Sequence, residues 1–462
     1  MTKTIRWWSC SLILLVGLGA ACGDSEEEPG EVENPNANEE PGVNQELPPP
    51  EPTYTYYQDV GPILDARCGS CHGDQAFGGL DFSTYEAVYA TRPLIEIALK
   101  EGTMPPWLAA DGCTEYQHSL QLEPGELDLL LTWLDEGAPT GDAGDPGAPL
   151  DAPSGGLERV DVELEMDGDY EPRLKPDDYR CFVIDWEGEE DQYITGFNVV
   201  PGNPEIVHHV IAFYAPPALA DEALARQDAE EGMGYTCFGT PGLGEDVDFT
   251  GNESVGWLGS WAPGGTGVNF PEGTGISVAP GSKIIMQVHY NTYDGQDDTD
   301  RSAVQFKVDD QVEKPARYLP WANPAWPSNP STMAIPAGDA EVAHSFGFDL
   351  VGFANRDITI YSANLHMHML GTSGKLWVDR AAGDEQCLLE IPRWDFNWQS
   401  EYHLQEPVTL TDGDELWIGC EWDNSAGNQP VIQGSQIDPQ DVGWGDGTTD
   451  EMCLGVFYVT FD

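Results

Sequence analysis

Two periodicities divide the chain. Near its start, Val60, Ile63 and Leu64 fall on one helical face. Leu127, Leu130, Leu131 and Leu134 repeat that spacing after Pro124, a residue a helix accepts in its first turn. Beyond residue 157 the pattern changes. Short apolar or alternating runs recur at 181–186, 193–200, 207–214, 283–290, 303–308, 358–369, 415–422 and 452–461, separated by Gly, Pro, Asn and Asp. No long helical period interrupts them. Many short strands over such a length predict all-β sandwiches, and the length favours two, with the charged stretch 308–317 as their boundary. The expected fold is multidomain: a small all-α domain at 54–141, then all-β domains at 158–313 and 314–462.

The segments between these parts are polar. Residues 23–53 are acidic and Pro-rich without Lys or Arg, and are expected to be a disordered linker; 142–157, rich in Gly, Pro and Asp, is expected to be a second, flexible one. Ahead of both, Lys3 and Arg6 precede an apolar stretch from Leu12 to Leu18, too short to span a bilayer, then Gly19-Ala20-Ala21 before Cys22. Residues 1–22 resemble a bacterial lipoprotein signal in which Cys22 is lipidated. This implies an exported protein, periplasmic or at the cell surface, touching a membrane only through an N-terminal lipid.

Charge narrows the partners. The 462 residues carry 19 Lys+Arg against 81 Asp+Glu, a formal net charge of −62. Nucleic acid is excluded, because phosphate backbones are bound through clustered cations, and anionic membrane surfaces are disfavoured for the same reason.

Cys68-Gly69-Ser70-Cys71-His72 carries the first chemistry. Two thiols at this spacing form thioethers to haem vinyl groups, and the adjacent His72 supplies an axial nitrogen. A dithiol redox pair or half a zinc site would come with a βαβ pattern or a second Cys pair, and neither is present. For the sixth position Met104, in Gly102-Thr103-Met104-Pro105-Pro106, is the expected ligand, with His118 as rival. The stretch resembles small cytochrome c domains with a Met-Pro-Pro turn. Six further cysteines, Cys113, Cys181, Cys237, Cys387, Cys420 and Cys453, suggest disulfides in an oxidising compartment, with their pairing open.

The second chemistry lies in three histidine clusters. His208-His209 precedes an apolar run, His289 sits in Gln287-Val288-His289-Tyr290, and His366 and His368 alternate with Met367 and Met369. In a strand, residues two apart share a face, so His366 and His368 can grip one ion. Adjacent His208 and His209 need a bulge or a strand end to do so. Imidazole suits Zn, Cu, Fe and Ni, and the lack of an HExxH helix lowers a zinc-hydrolase reading.

Taken in order, these segments resemble the copper type II, ascorbate-dependent monooxygenases. His208-His209, Gln287–Tyr290, the His-x-His-x-Leu-Gly of His366, His368, Leu370 and Gly371, and Thr449-Asp450-Glu451-Met452-Cys453 carry the resemblance, with Trp261-Ala262-Pro263-Gly264 and Phe270-Pro271 as support. It implies two jelly-roll domains with one copper each. His208, His209 and His289 would hold the first, electron-transferring copper. His366, His368 and Met452 would hold the second, where O2 is activated and catalysis occurs. A Cys420–Cys453 disulfide would anchor the strand bearing Met452, and Cys181–Cys237 is a looser pairing. The family's peptide-amidating branch has Tyr and Asn after its Met-Cys pair. Leu454-Gly455-Val456 stand here instead, against a peptidylglycine substrate.

The expected function is hydroxylation of a C–H bond in a small organic substrate with O2. The fused haem c domain would replace or supplement ascorbate as reductant, itself fed by a periplasmic electron donor. The alternative is a non-catalytic copper and haem redox-relay lipoprotein.

Overall fold

A computed structural model describes residues 51–73, 79–150, 156–175, 177–244, 254–262, 265, 267–292, 298–432, 435–445, 447 and 449–462. The expected signal, Cys22 and most of the acidic linker lie outside the described residues, as do residues 151–155 of the second linker and Pro263-Gly264.

The chain is mostly β. A nine-stranded sheet runs in the order Val162–Glu165, Ala303–Asp309, Gln192–Val200, Thr274–Val278, Lys314–Trp321, Leu454–Phe461, Ile358–His366, Tyr402–Leu410, with Val268–Asn269 paired to Gln192–Val200. Its pairings are antiparallel except where Lys314–Trp321 meets Thr274–Val278 in parallel. That seam divides the sheet into two halves, each covered by a smaller sheet.

Over the first half lies a five-stranded sheet ordered Tyr235–Thr236, Asp177–Asp185, Lys283–Asn291, Val207–Ala215, Gly256–Trp261. Ile194, Phe197, Val210, Ile284, Val288 and Phe306 fill the space between. Over the second half lies a four-stranded sheet ordered Val342–Phe348, Glu415–Trp422, Gly371–Asp379, Glu385–Ile391. Ile360, Leu365, Leu376, Ile418, Phe457 and Val459 fill that core. Each such side chain contributes about 1.5–3 kcal/mol on full burial. Two facing layers with polar outer positions are compatible with β-sandwiches.

The sequence patterns follow from these positions. Glu415–Trp422 alternates because one face is covered and the other wet. Lys283–Asn291 is buried almost throughout, because a second apolar cluster around Phe213, Ala223 and Ile285 covers its outer face. Helix Ala220–Asp228, which supplies Ala223, was not expected from the pattern: its nine residues carry only a short apolar stripe.

Ahead of the sheets, helices Gly61–Arg67, Gly69–His72, Tyr85–Glu101 and Pro124–Asp135 pack around Val60, Leu64, Val88, Leu130 and Trp133. Arg67 forms a two-pronged ion pair with Glu126, tying the first of these helices to the last.

The expected all-α stretch contains a segment that belongs to the second sandwich. After helix Tyr85–Glu101, residues 103–121 leave the helices. The backbone of Ala110 donates to Glu390 O (2.8 Å), Gln117 to His403 O (2.8 Å), and Gln405 to Glu115 O (2.9 Å). Trp107 meets the Tyr402 ring edge-on at 5.0 Å. Cys113 is bonded to Cys387, a pairing the sequence left open. Cys181 joins Cys237, and Cys420 joins Cys453. The described half of the second linker also departs from a free tether. Gly147 donates to Tyr57 O at 3.0 Å, and a side chain there would run into the Gln58 backbone.

Candidate functional site

His208 and His209 open the strand Val207–Ala215. Its pairing with Lys283–Asn291 shifts register between Val207 and His209, so His208 is an extra residue. That bulge is the irregularity the two adjacent histidines require to share a face. His209 pairs directly with His289. The Nδ1 atoms of His208 and His209 lie 3.2 Å apart, and those of His209 and His289 3.4 Å. His289 Nε2 donates to Asp177 Oδ1 at 2.9 Å, which leaves its Nδ1 an unprotonated acceptor pointing at its neighbours. Tyr179 stacks flat on the His289 ring, 4.0 Å away. Burial holds His209 and His289 well below the usual imidazole pKa, with the neighbouring histidines adding to it.

The second cluster forms where three chain segments meet. His366 ends the strand Ile358–His366, and His368 follows two residues on. Met367 between them is fully buried in the core, so the histidines face the other way. His366 Nδ1 donates to Gln399 Oε1 (2.5 Å) and His368 Nδ1 to the Asp450 carbonyl (3.1 Å). Both Nε2 atoms are thereby acceptors, yet they lie 3.1 Å apart. Two lone pairs aimed at each other in a buried site call for a cation between them. Burial pushes the His366 imidazole down to about 3, so a proton does not fill that role at neutral pH.

Met452 stands just before the strand Leu454–Phe461 and is buried beside the same cavity as both histidines. The Cys420–Cys453 disulfide ties this point to the strand Glu415–Trp422 of the facing sheet. Glu451, missed by the sequence reading, organises the turn. Its carboxylate accepts from His368 N (3.0 Å), Leu370 N (2.6 Å), Met452 N (3.4 Å) and Trp422 Nε1 (2.8 Å). Burial raises its pKa to about 7, against the pull of those four donors. Trp394 Nε1 donates to the His368 carbonyl at 2.9 Å. An acid next to an expected ligand in Asp-Glu-Met-Cys was the available signal for Glu451.

One cavity of about 160 Å³ is lined by His208 and His209 from the first cluster and by His366, His368 and Met452 from the second. The two clusters thus face one cleft, between the five-stranded sheet and the end of the nine-stranded one.

Residues 332–461 match the family model of the copper type II ascorbate-dependent monooxygenase, C-terminal domain. The matched stretch contains His366, His368, Met452, Cys420 and Cys453, and ends before none of the second cluster's ligand candidates. No curated protein matches the chain. The match thus takes in the second cluster; the first lies outside it, and there one ligand nitrogen from each of His208, His209 and His289 lies within 4.8 Å of the others.

In the helical part, Cys68 and Cys71 are free thiols and His72 is buried. His72 Nδ1 donates to Leu80 O at 2.8 Å, and its ring stacks on Phe82 at 4.4 Å. This fixes the tautomer that leaves Nε2 as an acceptor, the arrangement an axial iron ligand needs. Burial pushes the Cys68 thiol up to about 12, so it is not an activated thiolate. Met104 is half-buried at the start of the segment that leaves for the second sandwich. His118 lies further along that segment, with a left-handed backbone and a pKa lowered by burial and by His403.

Proposed function

We propose that the chain is an exported copper monooxygenase with a covalent haem c on its helical part, hydroxylating a C–H bond of a small organic substrate. The observation that carries this reading is the single cleft faced by two nitrogen-rich clusters, one of which lies within the matched monooxygenase domain. His208, His209 and His289 would hold the first copper, and His366, His368 and Met452 the second, in two jelly-roll domains. Cys68 and Cys71 would carry the haem thioethers, with His72 and Met104 as axial ligands, and Cys22 the lipid. When bound, the coppers would supply one-electron redox and O2 chemistry and the haem one-electron delivery. The overall balance is R–H + O2 + two electrons + two protons giving R–OH + H2O.

The chain's own residues hold the donor atoms ready. Asp177 keeps His289 Nε2 protonated, so Nδ1 faces the first site. Gln399 and the Asp450 carbonyl do the same for His366 and His368, so their Nε2 atoms face the second. The second donor set combines two imidazoles with a thioether, which favours the reduced, cuprous state, whereas the first is all nitrogen. Trp257, Trp261 and Phe396 line the cleft with aromatic surface. Docking of residues 103–121 on the second sandwich supports electron supply from the helical part, since the loop bearing Met104 is held against the domain that carries His366 and His368.

The test is elemental analysis and a reduced-minus-oxidised spectrum of the exported protein, followed by turnover under ¹⁸O2. Two coppers, a haem c spectrum and one labelled oxygen atom in the product are expected. Zinc in both sites of protein matured with ample copper overturns the reading.

A further inference from the structure

Resting on the monooxygenase reading, we propose that the cleft selects an uncharged substrate with an aryl or alkyl body, and discriminates against both amines and carboxylates. Although the chain carries 81 Asp+Glu, no Asp, Glu, Lys or Arg is among the described residues lining the cavity between the two histidine clusters. The apolar part of the wall includes Tyr179, Phe238, Trp257, Trp261, Phe396 and Leu454.

Several of the polar groups on the wall have protein partners. Asn364 Nδ2 donates to the Ser400 carbonyl at 2.9 Å. Gln399 receives His366 Nδ1 through its oxygen and donates to Phe396 O at 2.8 Å through its nitrogen. The nearby acids are engaged by protein groups: Asp177 by His289, Glu451 by four N–H donors, Glu401 by Tyr318 and Ser362, and Asp395 by the backbone and side-chain nitrogens of Asn397.

An ammonium entering this cleft would lose water without gaining a counter-charge, and a carboxylate would find no guanidinium or ammonium. The two positions following Met452-Cys453 that point at the cleft, Leu454 and Val456, are both apolar. A wall of aromatic and aliphatic side chains favours an apolar body, and a few amide groups at its rim set orientation rather than charge.

The experiment uses three probes of one shape: 2-phenylethanol, 2-phenylethylamine and phenylacetate. Binding to the copper-loaded, reduced full chain is measured without O2, by tryptophan fluorescence and calorimetry. The neutral probe is expected to bind at least about tenfold tighter than either charged one. Leu454→Arg is expected to shift preference toward phenylacetate. Ser260→Asp, at an exposed wall position, is expected to shift it toward the amine. Equal or tighter binding of a charged probe to the unmodified chain, no binding of 2-phenylethanol, or a preference unmoved in a folded variant overturns the assignment. Copper content and ¹⁸O incorporation are read separately. Neutral-selective binding without oxygen incorporation overturns the monooxygenase reading and leaves the cleft assignment standing. Incorporation into a charged probe with an affinity matching 2-phenylethanol does the reverse.

Discussion

Cys113, eleven residues after Gly102 in the segment that leaves the helical part, is bonded to Cys387 on the strand Glu385–Ile391, 274 residues away. With the backbone bonds of Ala110, Glu115 and Gln117 and the Trp107–Tyr402 contact, it turns a domain joined by a linker into one stapled to its neighbour. Proteolysis within 142–157 is therefore expected to leave the helical part attached. On a non-reducing gel the cut chain should run as one species, and a reductant should split it in two. Separation without reductant would show that Cys113 and Cys387 are not paired.

The hydrogen bond from His289 Nε2 to Asp177 orients one of three converging nitrogens. Asp177→Ala is expected to weaken copper at the first site by about 10–100-fold while leaving the second site's affinity unchanged, as partners of metal-bound histidines generally do. Competition with a cuprous chelator measures both sites. Equal weakening at both would mean that the substitution acts on the fold.

Glu451 holds Met452, His368 and Leu370 through their backbone N–H groups and Trp422 through its indole. Above pH 7, where Glu451 is ionised, Glu451→Gln replaces one acceptor oxygen by an NH2 facing N–H donors. Copper at the second site is expected to weaken by about 10–100-fold, with the first site unaffected. An unchanged sulfur signal in copper X-ray absorption together with unchanged affinity would remove Glu451 from this role.

The metal-free protein is expected to lose stability on mild acidification. Burial lowers His366 to about 3. Between that value and the ordinary value of about 6.5 the unfolded chain binds a proton that the fold does not, so stability falls as pH falls through this window. From pH 7 to pH 5 the loss from His366 is about 2 kcal/mol. Glu451, raised to about 7, acts with the opposite sign: the fold keeps its proton while the unfolded chain releases it, so stability is lost as pH rises from about 4.5 to 7. Urea unfolding of Glu451→Gln removes that counterweight, and the variant should show the acid-side loss more steeply than the parent. A flat profile in the variant would contradict a buried neutral His366.

Much of this protein was legible from the chain because short-range patterns carried it. Each run of residues read as a strand contains one, since alternation or a continuous apolar run reports directly on whether one or both faces are covered, although 358–369 ends its strand at His366 and leaves His368 outside it. The need for a bulge at His208-His209 followed from period-two geometry alone, and the register shift supplies it. The reading of Cys68, Cys71 and His72 as a haem site rests on local spacing alone; the structure adds two free thiols and a His72 Nδ1 bonded to Leu80 O. Only the tertiary structure decided how distant pieces meet. Residues 103–121 are too irregular to show a periodicity, so nothing local announced that they pack on strands nearly 300 residues later. Cys113 pairs with Cys387 because the fold brings their backbones within bonding distance, and no spacing rule encodes that. Glu451 reads as one acid among 81 until burial surrounds it with four N–H donors. The uncharged wall of the cleft is likewise a property of the assembly: its side chains come from many strands and loops, and their shared lack of charge exists only once those elements face one another.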